Sequence, residues 1–244
     1  MKQTSLQVII LAAGKGSRMD SELPKVIHKI NNKTLLNYVI DTAIQLIPKT
    51  IMVVVGYMSK EVIETVEDTS IKFIKQQQQL GTGHAVAQCI EHIDKKSDTL
   101  ILYGDVPLIS YKSLSILINN HRGNNNDASI LSSDTLSPTG YGRIIRDKTG
   151  SFIKIKEEKD ATNQEKMIKE INTGICIFKG SSLEHYINKI DTNNKQNEFY
   201  LTDIFSILLN SGRKIGTTKL NNHMEAMGIN TKQELAEASS KVPQ

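Results

Sequence analysis

The chain has 244 residues, with 30 Lys and Arg against 26 Asp and Glu and a formal net charge of +4. Hydrophobic residues make up 39% and charged residues 23%, which allows one large globular domain with a sizeable core. The basic excess is mild and forms no block, which argues against a nucleic-acid-binding face and suits a small anionic substrate.

Only two cysteines occur, Cys89 and Cys176, both in apolar surroundings. Buried thiols are expected, and neither a disulfide framework nor a cysteine metal cluster is. Met1 to Gln7 is polar and lacks the apolar core of a secretory leader. No apolar run approaches membrane-spanning length. The expectation is a cytoplasmic protein with neither nucleic acid nor membrane as partner.

The first half alternates. Strands are expected at Val8–Leu11, Ile51–Val55, Ile71–Ile74 and Thr99–Tyr103, and helices at Leu35–Ile47, Lys60–Glu67 and Gly83–Ile93. This rhythm predicts an α/β fold, a Rossmann-like doubly wound and mostly parallel sheet. Ligands of such sheets bind outside the carboxyl ends of the strands. A helix over Ser113–Asn120 and a strand over Ala128–Ser132 follow. Shorter β-like pieces at Gly142–Arg146, Phe152–Lys156 and Gly174–Phe178 predict a more antiparallel subregion. Helices at Leu183–Ile190 and Asp203–Leu209, a strand at Ile215–Leu220 and a helix at Thr231–Val242 capped by Thr231 complete the pattern.

The run LAAGKGSRMDSELPK, Leu11 to Lys25, follows the first strand. Gly14 and Gly16 allow a tight turn and close backbone approach. Lys15, Arg18 and Lys25 add fixed positive charge, so the loop suits a triphosphate. It is neither a Walker loop nor a dinucleotide fingerprint: no Gly-Lys-Ser/Thr occurs, and Met19 stands where G-x-G-x-x-G needs its third glycine. A dinucleotide-dependent dehydrogenase therefore fits poorly.

Asp105 follows an apolar run and sits at a second strand end. It suits either Mg²⁺ or the start of a helix. The string QQQQLGTGHA, Gln76 to Ala85, offers amides that can read a base edge and glycines that permit close approach. Alone it reads better as a polar loop entering an amphipathic helix. Gly140 in GYGR, Glu157 in KEEKDA and Asn172 in EINTG supply groups that hydrogen-bond sugar hydroxyls and an N-acetyl amide. Each of these is ordinary by itself.

Together, LAAGKGSRM…LPK, QLGTGHA, LYGDVPL, GYGRI, KDA, EINTG and FYLTDI closely resemble one family in order and spacing. It is the uridyltransferase half of the bifunctional N-acetylglucosamine-1-phosphate uridyltransferase/glucosamine-1-phosphate acetyltransferases. The resemblance runs from about Val8 to Asn230, and the glycine loop alone marks the wider sugar nucleotidyltransferases.

The resemblance implies a Mg²⁺-dependent transfer from UTP to N-acetylglucosamine 1-phosphate for cell-envelope precursor synthesis. Arg18 and Lys25 would be catalytic, neutralising phosphates. Asp105 and Asn230, the latter in MGIN, would hold Mg²⁺. Leu11, Ala12, Ala13, Gly14, Gln76, Gly81 and Thr82 would bind the nucleotide. Tyr103, Gly140, Glu157, Asn172, Tyr200 and Thr202 would bind the sugar. Residues 1–230 would form the sugar nucleotidyltransferase domain, and 231–244 the start of a linker helix. Ser17 stands where the family often carries Thr, and Gln77 and Gln78 depart from the usual pair. The family's hexapeptide-repeat second half, which carries acetyl transfer and forms the trimer, is absent from this sequence. Acetyltransferase activity is therefore not expected, and the oligomeric state stays open. Two other readings share these motifs: a nucleotidyltransferase for another sugar phosphate, and a catalytically inactive sugar-nucleotide binder.

Overall fold

The computed structural model describes residues 4–16, 19 and 21–242. The chain opens with β1 (Leu6–Ala12), buried at every position. A small hairpin, β2 (Lys29–Ile30) and β3 (Lys33–Thr34), leads into α1 (Leu35–Gln45). Thr34 caps that helix by accepting from the Asn37 backbone. Next come β4 (Thr50–Val55), α2 (Ser59–Glu64), β5 (Lys72–Lys75), α3 (Thr82–Ala87), β6 (Asp98–Tyr103), α4 (Tyr111–Gly123) and β7 (Ala128–Asp134). The second half holds β8 (Arg143–Arg146), β9 (Phe152–Lys156), α5 (Asn163–Lys166), β10 (Glu170–Lys179), α6 (Gly180–Tyr186), α7 (Asp203–Asn210), β11 (Ile215–Lys219) and α8 (Lys232–Ser239).

The main sheet runs β11-β7-β10-β6-β1-β4-β5. β1 pairs in parallel with β4 and β6, β4 with β5, and β7 with β11. Along this path of described strands, β10 runs against its neighbours β6 and β7. The hairpin β8–β9 attaches to β10 through Arg143 and Ile171. Strand periodicity sorts the core into two layers. Val8, Ile10, Val53 and Leu100 face one set of helices, and Ile9, Met52, Val54 and Ile101 face the other. The fully apolar runs follow from burial on both faces. Among the buried polar side chains of these strands, Gln7 donates to the Thr99 hydroxyl at 2.8 Å.

Several elements differ from expectation, among them the helix expected over Leu183–Ile190, which is α6 to Tyr186 and then a 3-10 turn over Ile187–Lys189. The helix expected over Gly83–Ile93 stops at Ala87, and a separate 3-10 turn spans Ile90–His92. The strand expected at Gly174–Phe178 is ten residues long and crosses the middle of the sheet. Its pairing with β7 breaks between Asn172 and Cys176, and it meets β6 only from Cys176 onward. Gly174, at φ +83, makes that irregularity. α5 was not expected, although Thr162 and Glu165 form a capping box around its start. The hairpin β2–β3 was likewise unforeseen. At the far end Thr231 caps α8 as expected, in a second capping box with Glu234.

Cys89 and Cys176 are both buried, and burial pushes the Cys89 thiol up to about 12. Among the described residues, no helix is long and apolar enough to cross a membrane.

Candidate active site

The carboxyl ends of β1 and β6 open into a cleft of 460 Å³. Leu11, Ala12, Ala13 and Gly14 form one wall, and Gln76, Gly81 and Thr82 another. All seven residues expected to bind the nucleotide are thus brought together. Gly14 has open space where a Cβ would stand, so its backbone faces the cleft unscreened. Gly16, at φ +71, lets the loop fold onto Lys25: a Cβ there would lie 2.5 Å from the Lys25 Cβ. Gly81, at φ +112, packs as tightly against the Phe199 carbonyl, 2.6 Å from its notional Cβ. The Gly83 amide donates to that carbonyl at 2.7 Å, and the Leu201 amide donates to the Thr82 hydroxyl at 3.1 Å. The second glycine loop is therefore built against the segment around Tyr200.

A second cavity of 600 Å³ adjoins the first and shares Thr82, Tyr103 and Glu198 with it. Gly140, Glu157, Asn172, Tyr200 and Thr202 line it. Every residue expected at the sugar therefore meets in one place. The Thr202 hydroxyl donates to Glu157 at 2.8 Å, which orients the carboxylate. Burial raises the Glu157 pKa, with Asp203 and Asp160 adding to it and the Thr202 hydrogen bond opposing. Burial likewise pushes the phenols of Tyr103 and Tyr200 up, so both remain neutral donors. The Asn172 carboxamide oxygen accepts from the Gly174 backbone N–H at 3.1 Å, and the Asn172 backbone N–H donates to the Gly142 carbonyl at 2.8 Å.

Lys25, Asp105 and Asn230 stand together in the first cleft. The Lys25 ammonium pairs with the Asp105 carboxylate and donates to the Asn230 side-chain oxygen at 2.8 Å. The Ile229 amide donates to the Asp105 carbonyl at 2.8 Å, tying the distant MGIN segment to the end of β6. Glu234 accepts from the Asn230 backbone at 2.6 Å, so the α8 cap also fixes Asn230. Lys15 leans over the Tyr57 ring, 5.4 Å from its centroid. Arg18, the other expected catalytic cation, lies outside the described residues. Among the described residues, no cluster of three or more His, Cys, Asp or Glu could hold a metal.

Sequence reasoning missed three contributors. Gln79 lines the nucleotide cleft and donates to the Gln76 carbonyl at 3.2 Å. Its identity was hidden inside a run of four glutamines. Glu198 borders both cavities from a loop that read only as polar. Arg143 is 1% exposed beneath the sugar cavity. Its guanidinium donates to Glu158 at 2.7 Å and to the Tyr141 and Lys166 carbonyls.

A mostly parallel sheet whose strand ends carry a glycine loop, a cation and a carboxylate defines an α/β nucleotidyltransferase. Residues 8–169 match the MobA-like NTP transferase domain, and the chain belongs to that family. It is 44% identical over 237 residues to the bifunctional protein GlmU of Neisseria meningitidis serogroup A, covering 97% of this chain and 51% of that one. The bifunctional protein GlmU of Dechloromonas aromatica is 42% identical over 232 residues, or 95% of this chain and 51% of that one. That of Alkaliphilus metalliredigens is 43% identical over the same span and shares. The chain thus spans about half the length of these curated relatives. A crystal structure described as a glucose-1-phosphate thymidylyltransferase from Bacillus anthracis superposes with a TM-score of 0.76. It covers 97% of this chain and 95% of that one at 17% identity, and so shares the fold.

Proposed function

We propose that the chain transfers a uridylyl group from UTP to N-acetylglucosamine 1-phosphate, giving UDP-N-acetylglucosamine and pyrophosphate for cell-envelope precursors. The observation that carries this reading is the pair of adjoining cavities with Lys25, Asp105 and Asn230 in the first. One cavity offers backbone and amides to a nucleotide, and the other offers Glu157 and Asn172 to an amide-bearing sugar. The sugar phosphate is largely a dianion at neutral pH, because a phosphomonoester's second pKa is about 6. Its oxygen can attack the α-phosphorus without a general base, and pyrophosphate leaves with the electron pair.

The difficulty is bringing two anions together. The chain's own contribution is positioning and charge neutralisation. Lys25 supplies a positive charge in the first cleft, and Arg18 a second by resemblance. Asp105 and Asn230 turn two oxygens toward one ammonium, a hard donor pair that suits Mg²⁺. A bound Mg²⁺ would stabilise the charge that develops on phosphate oxygens. The exposed backbone of Gly14 lets a nucleotide approach the loop without steric hindrance.

Pyrophosphate release tests the reading, with UTP, Mg²⁺ and N-acetylglucosamine 1-phosphate supplied to purified protein. Glucosamine 1-phosphate, glucose 1-phosphate and CTP serve as alternates. Release only with UTP and the N-acetylated sugar is expected. Release with another pair would overturn the substrate, and binding of UTP without any release would overturn the reaction.

A further inference from the structure

The Gln76 side chain is 3% exposed at the back of the nucleotide cleft. Its amide nitrogen lies 3.2 Å from the Gly81 carbonyl and 3.0 Å from His84 Nδ1. A carbonyl oxygen only accepts, so the group facing Gly81 has to be the NH₂. Both amide hydrogens are then spent inside the protein, one on Gly81 and one on His84. Gln76 lines the cleft, and the group left to meet a ligand there is its carbonyl oxygen, which only accepts.

His84 can receive the second hydrogen only as a neutral ring with its lone pair on Nδ1. A second amide competes for the ring. Gln88 lies 3.2 Å from His84 Nε2 and also donates to the His84 carbonyl at 3.1 Å. A neutral imidazole has one lone pair, so the two amides cannot both donate to it. Gln88 is half-exposed and can be satisfied by water, whereas Gln76 is buried and cannot. The lone pair therefore belongs at Nδ1. The ring is held for this purpose against Phe199, with centroids 6.1 Å apart.

We infer that His84 is a positioning residue for pyrimidine choice: it locks the Gln76 amide so that an acceptor faces the base. An acceptor pairs with the N3–H of a uracil. The unprotonated N3 of a cytosine meets it lone pair to lone pair. The inference rests on the nucleotide being a pyrimidine held in this cleft, as proposed above. His84 itself touches no substrate, and its effect passes through Gln76.

The test is calorimetric binding of UTP and CTP to the whole chain in parent, His84→Leu, His84→Asn and Gln76→Ala forms. The parent is expected to favour UTP. His84→Leu removes the acceptor and should shrink the ratio of the two dissociation constants about tenfold, the size of one hydrogen bond's preference. His84→Asn places an amide oxygen near the Nδ1 position and should restore most of it. A generally loosened cleft would weaken both nucleotides alike and leave the ratio unmoved, which would overturn the role of His84. An unchanged ratio in Gln76→Ala would overturn base reading at Gln76, and with it the inference. The readout is binding, so it decides the inference even if pyrophosphate release fails and the proposed reaction falls.

Discussion

Lys25 forms an ion pair with Asp105 in the nucleotide cleft, and both side chains are 16% exposed. The same ammonium reaches the Asn230 oxygen at 2.8 Å, so one lysine occupies the donor pair proposed for a metal. Phosphates and a divalent ion would have to divide these partners between them. Lys25→Ala should lower kcat/KM by about 10² to 10³, the usual cost of losing one fixed positive group at a developing charge. The same variant should bind Mn²⁺ more tightly in calorimetry, because the competing ammonium is gone. Weaker Mn²⁺ binding would show that Lys25 does not compete for those oxygens.

Glu157 takes its hydrogen bond from Thr202 and looks into the second cavity. Glu157→Ala should raise the KM for N-acetylglucosamine 1-phosphate at least tenfold, on the scale of one charge-assisted hydrogen bond. The KM for UTP should move little, since Glu157 does not line the first cleft. Equal changes in both would show a general collapse of the site.

Arg143 does not line that cavity but braces two residues that do, Tyr141 and Glu158. Its fork ties the turn at Tyr141 to Glu158, the residue after Glu157. Glu158 is 24% exposed and can be solvated, but the Tyr141 and Lys166 carbonyls would lose the donor that satisfies them, at about 1–3 kcal/mol. Arg143→Ala should therefore lose roughly that much in urea unfolding. Arg143→Lys should recover only part, because one ammonium cannot reproduce a planar fork. Full recovery by lysine would reduce the role of Arg143 to its charge.

Most of the sheet was legible because β1, β4 and β6 are buried on both faces and so carry apolar runs, Val8–Leu11, Ile51–Val55 and Leu100–Leu102. β10 was only half legible for the opposite reason. Asn172, Thr173 and Gly174 interrupt its apolar pattern where the strand leaves β6 and serves the cavity. Glu157 looked like part of a solvated charge run, and spacing alone could not show that Thr202 reaches it across 45 positions. Arg143 was unreadable as a support, because burial of a single arginine leaves no periodic mark. Lys25 and Asn230, 205 residues apart, met only through the family pattern, and the geometry supplies the reason: Ile229 ties that segment to Asp105.

Gly174 lies under the Tyr103 ring, and a Cβ there would stand 2.6 Å from Cε2. Its φ of +83 is also strained for any other residue. Gly174→Ala should destabilise the protein by about 1–3 kcal/mol and displace Tyr103, which borders both cavities. The KM values for nucleotide and sugar phosphate should then rise together, in contrast to Glu157→Ala. A thermal melt and initial-rate kinetics on the same preparation check both halves, and an unaltered Tm would contradict the packing argument.

Asp203 opens α7 beneath the sugar cavity, and burial, with Asp191 and Asp160 nearby, pushes its carboxyl from 3.8 up to about 6. The native state thus keeps a proton that the unfolded chain releases. Stability contributed by this group is present below pH 3.8, falls as pH rises from 3.8 to about 6, and stays lower above that window. Asp203→Asn cannot lose that proton. Its stability relative to the parent should rise across the same window, by on the order of 1 kcal/mol after allowance for solvent screening. Favourable placement of a charged Asp at the helix start opposes part of this gain. Urea midpoints of the two proteins at pH 4 and pH 7.5 decide it: the gap should favour the variant more at pH 7.5, and parallel shifts at both values would show that Asp203 titrates normally.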